Sequence, residues 1–203
     1  AYHVGCVAKH IFEEYADTEV NTYIASEYRY KKCFLDKDGL LIVISQSGET
    51  ADTLASLRLV KEKGIDTLAI VNVVGSSIAR EAKNVLYIKA GPEIAVATTK
   101  AYTAQVILLS LLAFKLCLDK NKLDDNKKLE IISAFENVKN YVSDELQNIK
   151  VCEELANKIY KNHNIFFLGR KVDFAIALEG CLKLKEISYL HSEAYQSGEL
   201  KHG

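Results

Sequence analysis

Leu40-Leu41-Ile42-Val43-Ile44-Ser45-Gln46-Ser47-Gly48-Glu49-Thr50 decides how this chain is read. Leu40 to Ile44 is apolar on consecutive residues, the pattern of a strand covered on both faces. Ser45 to Thr50 is small and hydroxyl-rich, and a helical pattern opens directly after it and stops at Gly64. Strand, tight polar turn and helix start bring backbone N–H groups and the positive end of the helix dipole to one point, which suits an anion. Ser45, Ser47 and Thr50 add hydroxyl donors, and Gln46 adds an amide. No cation stands in the turn, so the guest it predicts is a small dianion such as a sugar phosphate, held by neutral donors. The plainer alternative is that Ser47 or Thr50 caps the helix.

Outward from this stretch the pattern repeats. Val4, Val7, Ala8, Ile11, Phe12 and Tyr15 follow helical spacing, which predicts an amphipathic helix over residues 2–16. Val20 to Ile24 reads as a strand. Thr67 to Asn72 reads as another buried strand, followed by Gly75-Ser76-Ser77 and a short helix, and Val85 to Ile88 as a third. The turn Ala90-Gly91-Pro92-Glu93 precedes a long helical pattern from about Thr98 to Leu118. Residues 119–128 read as a polar linker. Helical patterns follow at about 127–147 and 150–162, then a second buried strand, Ile165 to Leu168, and a helix from about Phe174 to Tyr189. Alternating buried strands and amphipathic helices predict an α/β fold, a parallel sheet between helices. A strand–turn–helix unit restarts in the C-terminal part, so the expected organisation is a first domain at 1–145 and the beginning of a second, similar one at 146–203. Ligands of such sheets sit beyond the carboxyl ends of the strands. The Ser45 loop, the Asn72 to Ser77 loop and the Gly91 to Thr99 loop all fall there.

Composition narrows the function classes. With 26 Lys and Arg against 27 Asp and Glu, the net charge is −1, and neither nucleic acid nor an anionic membrane surface is indicated as a partner. Cys6, Cys33, Cys117, Cys152 and Cys181 are odd in number and never in CxxC spacing, which argues for reduced thiols in the cytoplasm rather than disulfides or zinc. The longest apolar run, Val106 to Cys117, is shorter than a bilayer span and reads as a buried helix. The chain has no methionine, starts inside a helical pattern and stops at a glycine, so it reads as a piece of a longer protein.

One helix could carry chemistry. Glu179, Lys183 and Glu186 are spaced i, i+4, i+7 and share a face, while Lys185 points elsewhere. A carboxylate beside an ammonium offers a general base and a cation to stabilise a developing enolate oxygen. A solvated face of ordinary ion pairs is the competing reading. His202, flanked by Gly198 and Gly203, is free to act as acid or base near neutral pH, or is a surface histidine. His3, His10, His163 and His191 show no metal-ligand spacing, and no metal is expected.

Three long segments then carry a resemblance: Ser45 to Leu54 (SQSGETADTL), Gly91 to Thr103 (GPEIAVATTKAYT), and Ala177 to Tyr189 (ALEGCLKLKEISY) running on to Gly198 to Gly203 (GELKHG). Together they resemble the isomerase half of the glucosamine-6-phosphate synthases, also called glutamine–fructose-6-phosphate aminotransferases (isomerising). The resemblance covers essentially the whole chain. It implies tandem sugar isomerase (SIS) domains of flavodoxin-like build, fructose 6-phosphate as substrate and glucosamine 6-phosphate as product. It also implies ammonia supplied by a separate N-terminal glutaminase domain, a homodimer, and neither organic cofactor nor metal. By matching positions, Ser45, Gln46, Ser47 and Thr50 resemble the phosphate cradle, and Val96 and Thr98 the sugar-contacting positions. Glu186 resembles the base that moves a proton between C1 and C2, and Lys183 its electrostatic partner. His202 resembles the ring-opening acid/base, which in this family reaches the site from the neighbouring subunit.

The departures are specific. Ala1 stands where the family often has serine, and Thr98 replaces a common serine while keeping the hydroxyl. The Cys-Gly-Thr segment expected before Tyr2, the glutaminase domain with its cysteine nucleophile, and the Schiff-base lysine expected after Gly203 are all absent. The fragment alone is therefore expected to be inactive. Two other readings stay open: a different SIS-domain sugar-phosphate isomerase or deglycase, and a non-catalytic sugar-phosphate sensor.

Overall fold

The computed structural model describes residues 1–32 and 36–202; Cys33 and Gly203 lie outside the described residues. Strand β1 (Leu40–Ser45), helix α3 (Ala51–Lys61), β2 (Asp66–Val71), helix α4 (Ser77–Glu81) and β3 (Asn84–Tyr87) form a parallel sheet of order β1-β2-β3. Because side chains alternate across a strand, neighbouring apolar residues serve opposite layers. Ile42, Ile44 and Ile70 pack with Val4, Ala8 and Phe12 of α1 (Tyr2–Ala16) and with Leu109 and Ala113 of α5 (Lys100–Asp119). Val43, Ala69 and Val71 pack against Leu57 of α3 and Ile78 and Ala79 of α4. The sheet is thus covered on both sides, and each fully buried aliphatic side chain contributes about 1.5–3 kcal/mol by leaving water.

Helix α5 is 20 residues long, in line with the helical pattern from about Thr98 to Leu118, and with a mean hydropathy of 1.8 over its most apolar stretch it is long and apolar enough to cross a membrane. Its buried residues, Ala101, Gln105, Leu109, Ala113 and Cys117, recur every four positions and form one stripe facing α1 and the sheet. Cys117 Sγ donates to the Tyr15 carbonyl at 2.9 Å, tying the far end of that stripe to α1.

The C-terminal part runs α6 (Asp125–Glu145), a 3-10 turn (Leu146–Asn148), α7 (Ile149–Ile159), β4 (Asn164–Gly169), α8 (Val172–Ser188) and β5 (His191–Gln196). Strands β4 and β5 pair in parallel as a second sheet, with α8 packed on both. The expected domain boundary falls at the 3-10 turn. Helix α6 begins at Asp125, inside the segment read as linker, and Asp124 caps it by accepting the Lys127 N–H at 2.8 Å.

Three expectations need correction. Val20 to Ile24 is not a strand: Val20 packs against the α1–α5 core, but the segment has no ladder partner among the described residues and leads into a short helix, α2 (Ala25–Tyr28). Strand β4 is not buried on both faces, since Phe166 and Leu168 are about half exposed and only the opposite face meets α8. Strand β5 adds an element that the sequence does not predict; His-Ser-Glu-Ala-Tyr-Gln carries neither an apolar run nor a clean alternation.

Candidate active site

The carboxyl end of β1 opens into the Ser45–Thr50 loop, whose shape is set by its own hydroxyls. Ser45 Oγ accepts the Gly48 N–H at 3.0 Å and lies 3.1 Å from Thr50 Oγ1, and Ser47 Oγ accepts the Glu49 N–H at 3.2 Å. A hydroxyl that accepts a bond still has its own proton to give. Ser47 and one member of the Ser45–Thr50 pair therefore keep an O–H for a guest. Thr50 sits at the N-cap of α3, yet its side chain caps nothing. The capping alternative is not the role these hydroxyls play, and among the described residues no side chain caps the first-turn N–H groups of α3 beside them.

Gly48 has φ +69°, and a Cβ there would lie 2.0 Å from Ser76 Oγ. Only glycine fits this close crossing of two loops. Glu49 fastens the same crossing: its Oε1 accepts the Ser77 N–H at 2.7 Å, and those Ser77 hydrogen bonds hold its carboxyl below the usual range. The Gln46 carbonyl accepts the Asn72 N–H at 3.1 Å. Asn72 in turn clasps the following loop, donating to the Gly91 carbonyl at 2.7 Å and accepting the Ala90 N–H at 2.9 Å. Of the three loops expected at this edge, the Asn72 to Ser77 loop acts as a brace. The other two line a cavity of about 310 Å³.

That cavity brings together most of the residues singled out from sequence. Ser45, Gln46, Ser47 and Thr50 form one wall, Val96 and Thr98 the rim, and Lys183 and Glu186 of α8 the opposite wall. Val96 is 94% exposed, so it meets the cavity as a flap rather than as core. His202 is not among the lining residues. It is exposed in a 3-10 turn, Leu200–His202, where its N–H donates to the Glu199 carbonyl at 2.9 Å.

Glu179, the first member of the helix face shared with Lys183 and Glu186, lines the cavity too, and so do three polar residues not singled out from sequence: Thr53, Tyr102 and Gln105. Glu179 is buried, 8% exposed. Its Oε2 lies 2.7 Å from His3 Nδ1 on α1, and its Oε1 lies 3.4 Å from Lys183 Nζ. Lys183 Nζ donates to Glu186 Oε2 at 2.6 Å. Burial alone would push the Glu179 carboxyl up, but the His3 hydrogen bond and the Lys183 charge outweigh it and hold it below the usual range. Burial likewise opposes the Lys183 ammonium, yet the Glu186 hydrogen bond and the two carboxylate charges keep it above the usual lysine value. Lys183 is therefore a fixed cation at neutral pH, not a base. Burial first, then the charges of Glu179 and Cys6, push the Tyr102 phenol up to about 12, so it stays a donor. Tyr102 OH and Gln105 Nε2 are buried with no hydrogen-bond partner among the described residues. Gln105 leaves a signal in the sequence, as a polar residue in the otherwise apolar stripe of α5.

Among the described residues no cluster of three or more His, Cys, Asp or Glu side chains is placed to hold a metal ion. Cys6, Cys117, Cys152 and Cys181 are free thiols.

The SIS domain family matches residues 1–115 and 158–203, a span that takes in every wall of this cavity. The chain belongs to the SIS-domain family. This SIS-domain chain is 51% identical over all 203 residues to the glutamine–fructose-6-phosphate aminotransferase (isomerizing) of Caldanaerobacter subterraneus subsp. tengcongensis, and 51% identical to that of Clostridium tetani. It spans 33% of the length of each. Among solved structures it superposes on the C-terminal domain of glucosamine-fructose-6-phosphate aminotransferase from Francisella tularensis with a TM-score of 0.95 and 41% identity, covering 100% of this chain and 57% of that one. The glucosamine-6-phosphate deaminase of Thermotoga maritima, at 24% identity and a TM-score of 0.81, shares the fold.

Proposed function

We propose that this chain is the sugar-isomerising part of a glutamine–fructose-6-phosphate aminotransferase, comprising a first SIS domain at 1–145 and the start of a second at 146–203. The observation that carries the reading is a single cavity that joins a neutral, hydroxyl-lined loop to a carboxylate–ammonium pair, in a chain half identical to such enzymes. In this reading fructose 6-phosphate enters with its phosphate on Ser45, Gln46, Ser47, Thr50 and the open N–H groups of α3. Val96 and Thr98 border the sugar.

The chemistry follows from the opposite wall. Glu186 takes a proton from C1 of the bound sugar and returns it at C2, which turns the ketose carbon skeleton into the aldose one. Negative charge builds on the neighbouring oxygen during the transfer. Lys183, cationic and half-buried, offsets it without having to reorient. Tyr102 and Gln105 hold unspent polar atoms on the same cavity, available to sugar hydroxyls. His202 acts in ring opening from the partner subunit of a homodimer, which accounts for its position away from its own cavity. Ammonia from a glutaminase domain elsewhere in the whole protein, which works in the cytoplasm, condenses with the C2 carbonyl of the opened sugar and releases water; the C1-to-C2 proton transfer on that imine then leaves glucosamine 6-phosphate as the product.

The test is Glu186→Gln in the intact enzyme. Turnover is expected to fall by about 10²–10⁴-fold while fructose 6-phosphate binding, followed by calorimetry, changes little. Surviving turnover would refute Glu186 as the base and favour a sensing role for the cavity.

A further inference from the structure

His3 stands on α1, outside the residues that line the cavity, and reaches it through one contact. Its Nδ1 lies 2.7 Å from Glu179 Oε2, with the two side chains only 17% and 10% exposed. Glu179 Oε1 faces Lys183 Nζ at 3.4 Å, and the same ammonium lies 2.6 Å from Glu186 Oε2. The four groups form an unbroken polar series from α1 to the cavity wall. We propose that His3 is a positioning residue for the isomerisation, holding one oxygen of Glu179 so that Lys183 stays committed to Glu186. This rests on the reading of Glu186 as the base.

Each group in the series is limited in what it can accept or give. An ionised carboxylate only accepts hydrogen bonds, so the imidazole nitrogen facing Glu179 must carry the proton. With Oε2 satisfied from α1, only Oε1 is left to draw on Lys183, and the lengths record the outcome: 3.4 Å to Glu179 against 2.6 Å to Glu186. Remove the His3 donor and a buried carboxylate oxygen loses its proton source. The nearest replacement is the Lys183 ammonium, and a shift toward Glu179 takes it away from Glu186. Besides His3 and Lys183, the Ala1 amino group acts on Glu179 by charge, with no hydrogen bond to it among the described residues. Tyr102 on α5 feels the Glu179 charge without forming a hydrogen bond to it. Tyr2 packs edge-on against the His3 ring, with centroids 5.6 Å apart at 60°, and fixes the imidazole plane. Helices α1 and α8 belong to different sheets, so this contact also couples the packing of the two halves to the geometry of the base.

The test uses His3→Ala, His3→Asn and Glu186→Gln in the intact enzyme. His3→Ala is expected to lower kcat for fructose 6-phosphate roughly tenfold or more, with KM little changed, because a small displacement of a catalytic group is enough for such a loss. His3→Asn returns an N–H donor without the ring and should restore most of it. An unchanged kcat in His3→Ala, or a loss that Asn does not repair, would overturn the proposal. Nitrogen NMR of the unmutated chain supplies an independent check, since a His3 Nδ1 without its proton at neutral pH would also overturn it. If Glu186→Gln is inactive and His3→Ala fully active, only the positioning role fails. If Glu186→Gln itself turns over, the underlying assignment of the base fails.

Discussion

Gly48 and Ser76 cross so closely that any side chain on Gly48 would occupy the space of the Ser76 hydroxyl, whose Oγ lies 2.0 Å from where a Cβ would stand. The crossing joins the loop after β1 to the loop after β2, and it shapes the wall of the cavity that carries Ser45 and Ser47. Gly48→Ala suffers twice, from a left-handed φ of +69° and from the clash. A loss of about 2–4 kcal/mol in stability is expected. Urea unfolding of the two proteins measures it directly, and an unchanged midpoint would mean that the loops can part without cost.

The hydroxyls of the same loop make a separate prediction. Replacing Ser47 and Thr50 together by alanine removes donors to the proposed phosphate but leaves the β1–β2 sheet untouched. Hydrogen bonds to a charged group are worth about 1.5–3 kcal/mol, so affinity for fructose 6-phosphate should drop by at least about tenfold. Calorimetric titration that found the same affinity would remove this loop from the binding site.

Tyr102 gives an effect of opposite sign. Its hydroxyl is buried without a partner among the described residues, and an unmet buried hydroxyl is a cost to the free protein. Tyr102→Phe should leave the ligand-free protein as stable as before, or more stable by about 1 kcal/mol. The same change should weaken sugar-phosphate binding, because the ligand no longer finds the donor. Melting curves with and without fructose 6-phosphate separate the two effects, and a clear loss of stability without ligand would show that the hydroxyl already has a partner.

The Glu179 cluster sets a pH window. Its folded carboxyl sits below the usual range, so it binds its proton less readily in the folded protein than in the unfolded chain. The stabilisation it gives is therefore full above the ordinary carboxylate pKa of about 4.3 and is lost as pH falls through the lower, folded value. Glu179→Gln should cost about 1–3 kcal/mol at pH 7, and the gap should narrow below about pH 4. A gap that stays constant from pH 7 to pH 3 would assign the loss to packing and not to charge.

How far the sequence can be read depends on whether an element is defined by its own residues or by its neighbours. Leu40 to Ile44 and Thr67 to Asn72 carry their burial on consecutive positions, and the strands β1 and β2 lie there. The Ser45–Thr50 loop is legible for the same reason, since its glycine, hydroxyls and following helix are contiguous. Strand β5 is not, because His191–Gln196 is held by β4 and α8 rather than by any pattern of its own. Val20 misleads in the reverse direction: it is apolar because α1 and α5 cover it, with no ladder alongside among the described residues. His3 leaves no signal because its partner is 176 positions away, a distance that no spacing rule spans. Helical period groups Glu179, Lys183 and Glu186 on one face. What the period cannot tell is that Glu179 is the buried member.

Helix α8 is entered and left through residues of positive φ, Lys171 at +48° and Tyr189 at +59°, and its start is pressed against β4, where a Cβ on Gly169 would come within 2.4 Å of the Phe174 nitrogen. The start is thus indexed to β4, and the left-handed Tyr189 sets where the helix stops. An α-helix turns by about 100° per residue, so one residue inserted or deleted between those ends would swing the downstream side chains a quarter-turn or more away from the β1 loop. This segment can therefore exchange residues over generations yet cannot change its length, and homologues should align through Lys171 to Tyr189 without a gap.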